Sequence, residues 1–180
     1  MDHLRFATVW LGGCSGCHMS FLDLDEWLID LAQQVEVVFS PILDIKEYPD
    51  RVDVALIEGA IANEDHLEMI HKVRARTKVI VAFGDCAITG NVTALRNPLG
   101  PAENVLCRAY LGSTHLHAQI PNEPGIVPPL LDRVRPIHEV VPVEIFLPGC
   151  PPPAGRIRNL LEQVVAGKAP HLAGADLRFG

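Results

Sequence analysis

The chain has 180 residues, 48% of them hydrophobic and 21% charged, a balance that fits one compact domain and excludes disordered or collagen-like sequence. A formal net charge of -7 argues against nucleic acid or an anionic membrane surface as the main partner. The five cysteines are too few for a disulfide scaffold, and no apolar run reaches the ~20 residues of a membrane span.

Met1-Asp2-His3-Leu4-Arg5 is not a basic region ahead of an apolar one, and no twin-arginine pair occurs. A cytoplasmic protein with reduced or metal-bound cysteines is therefore expected. Phe6-Ala7-Thr8-Val9-Trp10-Leu11 reads as a buried strand stopped by Gly12-Gly13. After Cys14-Ser15-Gly16-Cys17, the spacing of Phe21, Leu24, Leu28 and Leu31 predicts a helix, with Asp23, Asp25 and Glu26 on its solvated face. Val35–Phe39 is β-branched and predicts the second strand; Val52–Glu58 predicts the third, ended by Gly59. Asn63 is a candidate N-cap for a helix over Glu64–Arg76. Lys78–Phe83 predicts the fourth strand, ended by Gly84-Asp85-Cys86, and Glu144–Leu147 the fifth, ended by Pro148-Gly149-Cys150. A closing helix is expected from about Pro153 to Ala166.

These elements form parallel βαβ units, so the expected fold is α/β: a flavodoxin-like, doubly wound parallel sheet of order 2-1-3-4-5. The whole chain, 1–180, reads as a single domain with an irregular, Pro-rich insertion over about 96–142, before the last strand. Within it, Leu130–Val134 is expected as one or two helical turns.

Cys14 and Cys17 follow the first strand, Cys86 the fourth and Cys150 the fifth. In an open parallel sheet those places share one edge, the carboxyl ends of the strands, where ligands bind. Each loop is also Gly-rich, which lets backbone N–H groups approach sulfur. Four thiolates suit either zinc or an iron–sulfur cluster. Isolated third and fourth cysteines favour a [4Fe–4S] cube over a zinc knuckle, and a thioredoxin-like Cys-x-x-Cys pair would leave Cys86 and Cys150 unexplained.

Four blocks carry a family resemblance: Leu11-Gly12-Gly13-Cys14-Ser15-Gly16-Cys17-His18, Glu58-Gly59-Ala60-Ile61, Gly84-Asp85-Cys86-Ala87 and Pro148-Gly149-Cys150-Pro151-Pro152. In kind and order they resemble the signature blocks of [NiFe] hydrogenase small subunits. The resemblance implies that Cys14, Cys17, Cys86 and Cys150 hold one proximal [4Fe–4S] cluster. It implies an electron relay between a nickel–iron site in a separate large subunit and iron–sulfur and flavin diaphorase subunits that reduce NAD⁺. The chain runs only 30 residues past Cys150, with no later cysteine and only His171, so it is similar to the short, soluble NAD-reducing branch of that family. A complex-I-like cluster subunit at a quinone site is the rival within reach of the motifs, although such subunits have adjacent cysteines in the first block. A flavodoxin-like flavin binder with structural zinc is the other rival. FMN lacks its phosphate loop here, because Gly-Gly-Cys-Ser-Gly-Cys stands in its place.

Glu58 ends the third strand at the cysteine edge. It either caps a loop through backbone N–H groups or lies beside the cluster, where it would couple a proton to electron transfer or ligate iron on oxidation. Asp85 raises the same question. Cys107 reads as a small buried hydrophobe, Trp10 and Trp27 as core or interface aromatics, and His18 as a hydrogen-bond partner for sulfur or for the partner subunit, or as a surface imidazole. His115 and His117 alternate without further ligands. Loops 12–18, 84–90 and 148–153 are the expected surface for the large subunit.

Overall fold

The computed structural model describes residues 3–112, 118–168, 170 and 172–179, so His115, His117, His171 and the start of the chain at Met1-Asp2 lie outside the described residues. The strands, in chain order, are β1 (Leu4–Trp10), β2 (Val35–Phe39), β3 (Val52–Glu58), β4 (Ile61–Asn63), β5 (Thr77–Phe83), β6 (Leu130–Arg135) and β7 (Ile145–Leu147). Five of them form a parallel sheet of order β2-β1-β3-β5-β7, the expected doubly wound topology. Apolar residues fill its central strand because both faces are covered: Val54, Ala55, Leu56 and Ile57 are all buried.

Side chains alternate between the two faces, as the strand repeat dictates. Ala7, Val9, Ala55, Ile57, Ile80 and Ala82 pack with Ile70 and Val73 of α3 (Glu64–Arg76). Phe6, Leu56, Val81, Phe83 and Leu147 pack on the other face with Ile157, Leu160, Leu161 and Val164 of the closing helix, Ala154–Val165. α3 begins as expected: Asn63 Oδ1 accepts from the His66 N–H at 2.8 Å, with Glu64 and Asp65 in the first turn and Arg74 and Arg76 in the last.

The register places the site. Trp10 pairs with Glu58, Glu58 with Phe83, and Phe83 with Leu147. Neighbouring strands therefore end level, and the loops that follow them start from one line.

Three expectations need correction. The stretch Phe21–Leu31 is not one helix but two, α1 (Gly16–Leu22) and α2 (Trp27–Ala32), because Asp25 takes a left-handed φ of 49° between them. Aspartate tolerates that conformation, so Asp23, Asp25 and Glu26 mark a solvent-exposed turn rather than a helical face. Leu130–Val134 is not helical; β6 pairs antiparallel with β4 in a separate two-stranded sheet. The insertion adds Ile137 and Val141 to the core and is held as well by polar side chains. Asn97 bonds both Val134 N–H (2.8 Å) and Val134 C=O (2.9 Å), imitating a strand edge, and the Arg96 guanidinium donates to the carbonyls of Ala62, Leu131 and Asp132. The region after β5 is also more ordered than expected, with α4 (Asp85–Thr89), α5 (Asn91–Ala94) and α6 (Ala102–Leu106), the last running on as a π-turn over Cys107–Leu111.

Candidate metal centre

Cys14 sits on the loop from β1 into α1, Cys17 in the first turn of α1, Cys86 in the first turn of α4, and Cys150 on the loop after β7. All four thus lie at the carboxyl edge of the sheet, and Cys17 interacts electrostatically with Cys14, Cys86, Cys150 and Glu58. Cys17 and Cys86 are buried on the protein side; Cys14 and Cys150 are exposed on the outer side. Burial raises the Cys17 thiol well above its ordinary value, and the charges of Glu58 and the other three thiols push it further. Burial also raises Cys86, partly offset by the Thr93 hydroxyl, while Cys150, Cys14 and Glu58 add to the rise.

The loops are tied to one another before any ligand is considered. Gly12 and Ala60 exchange backbone hydrogen bonds at 2.9 and 2.8 Å. Gly59 makes this approach possible: at φ +92°, a Cβ there would stand 2.8 Å from the Gly12 carbonyl carbon. Asp85 donates its N–H to the Gly149 carbonyl at 3.0 Å, and its Oδ1 accepts from the Gly149 N–H at 2.6 Å. The Ser20 hydroxyl donates to Pro152 C=O at 2.6 Å, and the Thr93 hydroxyl to Gly12 C=O at 2.9 Å. Asp85 is therefore a strut between the Cys86 and Cys150 loops.

Glu58 is 1% exposed, and its carboxylate accepts from the N–H groups of Cys17 (3.4 Å) and His18 (2.9 Å). Those are orphan donors of the first turn of α1, so Glu58 caps the cysteine loop. His18 is neither a surface imidazole nor a partner for sulfur: it is buried, and its Nδ1 pairs with Glu58 Oε2. Its Nε2 is buried without a hydrogen-bond partner among the described residues. Besides the Thr93 hydroxyl beside Cys86, two donors reach sulfur, the Gly16 N–H to Cys14 at 3.4 Å and the Asn91 side chain to Cys150 at 3.3 Å. Sequence reasoning missed Asn91 and Thr93 because nothing in their spacing announces α5.

Among the described residues, no three His, Cys, Asp or Glu side chains are grouped as a single metal ion requires. The donor set suits a larger group: four soft thiolates reaching in from three loops, with backbone N–H groups beside them. The glycine at the centre of the site agrees with this. A Cβ on Gly84, where φ is +85°, would lie 2.2 Å from Cys17 Sγ, so the backbone is pressed against the sulfur.

The family model for the NADH ubiquinone oxidoreductase 20 kDa subunit matches residues 14–164, a span that begins on Cys14 and includes all four cysteines. The chain belongs to this family. It is similar to the delta subunit of the NAD-reducing hydrogenase HoxS of Cupriavidus necator, with 36% identity over 98% of this chain and 85% of the relative. The iron-sulfur subunit of an F420-non-reducing hydrogenase from Archaeoglobus profundus is 32% identical over 93% of the chain, which spans 57% of that relative. The chain likewise spans 58% to 59% of the length of further archaeal subunits of this type. A crystal structure of an NAD⁺-reducing [NiFe]-hydrogenase in the H₂-reduced state contains a chain that superposes with a TM-score of 0.93, at 40% identity, covering 99% of this chain and 100% of that one.

Cys107, expected as a buried hydrophobe, is instead partly exposed on the π-turn and belongs to neither hydrophobic core. Trp10 is 48% exposed at the cysteine edge, a surface aromatic rather than a core one, and Trp27 lies under the Arg158 guanidinium at 5.4 Å. No helix among the described residues is long and apolar enough to cross a membrane.

Proposed function

We propose that this chain is the electron-relay small subunit of a cytoplasmic, NAD-reducing [NiFe] hydrogenase, with Cys14, Cys17, Cys86 and Cys150 holding one [4Fe–4S] cluster. The observation that carries the reading is the level row Trp10–Glu58–Phe83–Leu147, from which every cysteine loop departs. Bound there, the cluster supplies a one-electron couple. The chain's own residues do the rest. Glu58 and Asp85 hold the loops in place, so the thiolates do not reorganise when charge arrives. Cys17 and Cys86 form a dry floor, and Cys14 and Cys150 an outer rim that a partner must cover to exclude water.

The partners in this reading are a large subunit with the nickel–iron site and iron–sulfur and flavin diaphorase subunits. A catalytic role for this chain itself is not part of the proposal. The NADH ubiquinone oxidoreductase name of the family keeps a quinone-linked complex as the second reading. The Cys-x-x-Cys first block, in place of adjacent cysteines, favours the hydrogenase. For Glu58 we propose capping as the first role. The proton-coupling role expected from sequence requires Glu58→Gln to change the pH slope of the cluster potential, and an unchanged slope rejects it.

The deciding measurement is metal and sulfide content of the purified complex. About four iron and four sulfide per chain, with a brown absorbance lost in Cys→Ser variants at each of the four positions, is the expected result. One zinc and no colour would reject the proposal, and a co-purifying large subunit without nickel would shift it to the quinone reading.

A further inference from the structure

We propose that Asn91 is a positioning residue for Cys150: its side-chain amide donates to Sγ, fixes the outer sulfur of the site and favours the reduced form of the group held there. This rests on reading the four cysteines as cluster ligands. Asn91 Nδ2 lies 3.3 Å from Cys150 Sγ, a contact between residues 59 apart in sequence. That is the one hydrogen bond the amide makes among the described residues. The other donors near the sulfurs differ. Thr93 shares its hydroxyl between Gly12 C=O, at 2.9 Å, and Cys86, and Gly16 serves Cys14 from two residues away.

The backbone at Asn91 is unusual in a way that serves this contact. Gly90, between α4 and α5, at φ +81° and Asn91, the first residue of α5, at φ +34° are consecutive positive-φ residues. Asparagine is among the few non-glycine residues that tolerate this region, and a residue held there is a reason to ask what it does. The Thr89 hydroxyl fixes the conformation by accepting the Asn91 N–H at 3.3 Å. The turn thereby aims an uncharged donor at the sulfur on the exposed rim, which the buried loops do not shield.

The direction of the effect follows from charge. One-electron reduction adds negative charge that spreads onto the ligating sulfurs, and an N–H···S bond strengthens as its acceptor becomes more negative. The amide therefore stabilises the reduced state more than the oxidised one, with no proton moved. Removing it lowers the reduction potential.

Two variants separate this from a structural role. Asn91→Gly deletes the donor while keeping a residue at ease with positive φ; Asn91→Asp keeps the shape and replaces the donor by a negative acceptor. The assembled complex is titrated reductively and the cluster followed by electron paramagnetic resonance. Both variants should keep the parent's iron and sulfide, with midpoints lowered in the order Asp beyond Gly. For Asp the expected size is about a tenfold fall in the one-electron reduction constant, or about 59 mV. Parent-like midpoints in both variants, with full iron, overturn the role of Asn91 and leave the cluster reading standing. A parent complex without iron on this chain overturns both.

Discussion

Burial orders the chemistry of the cysteine thiols. Without metal, Cys17 and Cys86 are buried and their thiols are held above the ordinary 9.0, so both stay protonated at neutral pH. Cys14 and Cys150 are exposed on the rim. Brief alkylation of metal-free chain at pH 8, read by peptide mass spectrometry, should label Cys14 and Cys150 first, then Cys86, with Cys17 last. Equal labelling of all four would contradict the arrangement. The same shifts make a stability statement with a definite sign. A group whose folded value lies above its unfolded one contributes stability that is complete below the unfolded value and is lost as pH climbs towards the folded one. Metal-free chain should therefore lose thermal stability above about pH 9, where unfolded thiols ionise and buried ones do not. Tyr48, pushed up to about 12 by burial, extends the decline at still higher pH. Cys17→Ala should flatten the loss between pH 9 and 11 in a melting series. That the four cysteines share one sheet edge was legible in the sequence because each lies in the segment that follows a strand. Asn91, Thr93 and the buried His18–Glu58 pair were not, since a contact between residues far apart in the chain leaves no local spacing to read.

At the scale of elements, the site depends on where backbone meets sulfur. Gly84 ends β5 at φ +85°, and any Cβ there collides with Cys17 Sγ. Gly84→Ala should abolish cluster retention while leaving a folded chain, because the strained position lies beyond the strand ladder; iron content and far-ultraviolet circular dichroism report the two effects separately. Retention of full iron would show that the loop yields. Asn63 is a different kind of element contact. Its side chain caps α3, and Asn63→Ala should cost about 1 kcal/mol in denaturant unfolding with the cluster intact. The helix and its cap were readable because an amphipathic stripe follows an Asx residue. The major sheet was readable because strands buried on both faces are continuous apolar runs. The minor sheet was not: β4 is three residues long, and β6 alternates Leu131, Asp132, Arg133, Val134 in a pattern a short helix also satisfies. What fixes β6 is Asn97 and Arg96 bonding its backbone, a device that hydrophobic periodicity does not record.

For the molecule as a whole, the exposed apolar residues bear on how the cysteine edge is covered. Asn91 begins α5, and Val92, Leu95 and Leu99 follow at helical spacing with 55%, 72% and 53% of their surfaces exposed. Exposed Met19 of α1 and Trp10 at the end of β1 add further apolar surface around the cysteine edge. Single exposed apolar residues need no explanation, but a row of them beside exposed cysteines is the surface a partner would cover. Under the proposed function the large subunit seats on this ridge as well as on the cysteine loops, shielding the Cys14–Cys150 rim from water. Leu95 makes a clean probe because it is the most exposed of the three and lies outside both cores. Substitution at such a position changes chain stability by no more than about 0.5 kcal/mol, whereas a buried, unpaired carboxylate in an interface costs several times that. Leu95→Asp should therefore keep its iron and its melting temperature yet fail to co-purify with the large subunit, as read by size-exclusion chromatography. Full assembly of Leu95→Asp would put the partner over Met19 and Trp10 instead, and Met19→Asp would then be the variant that separates the subunits.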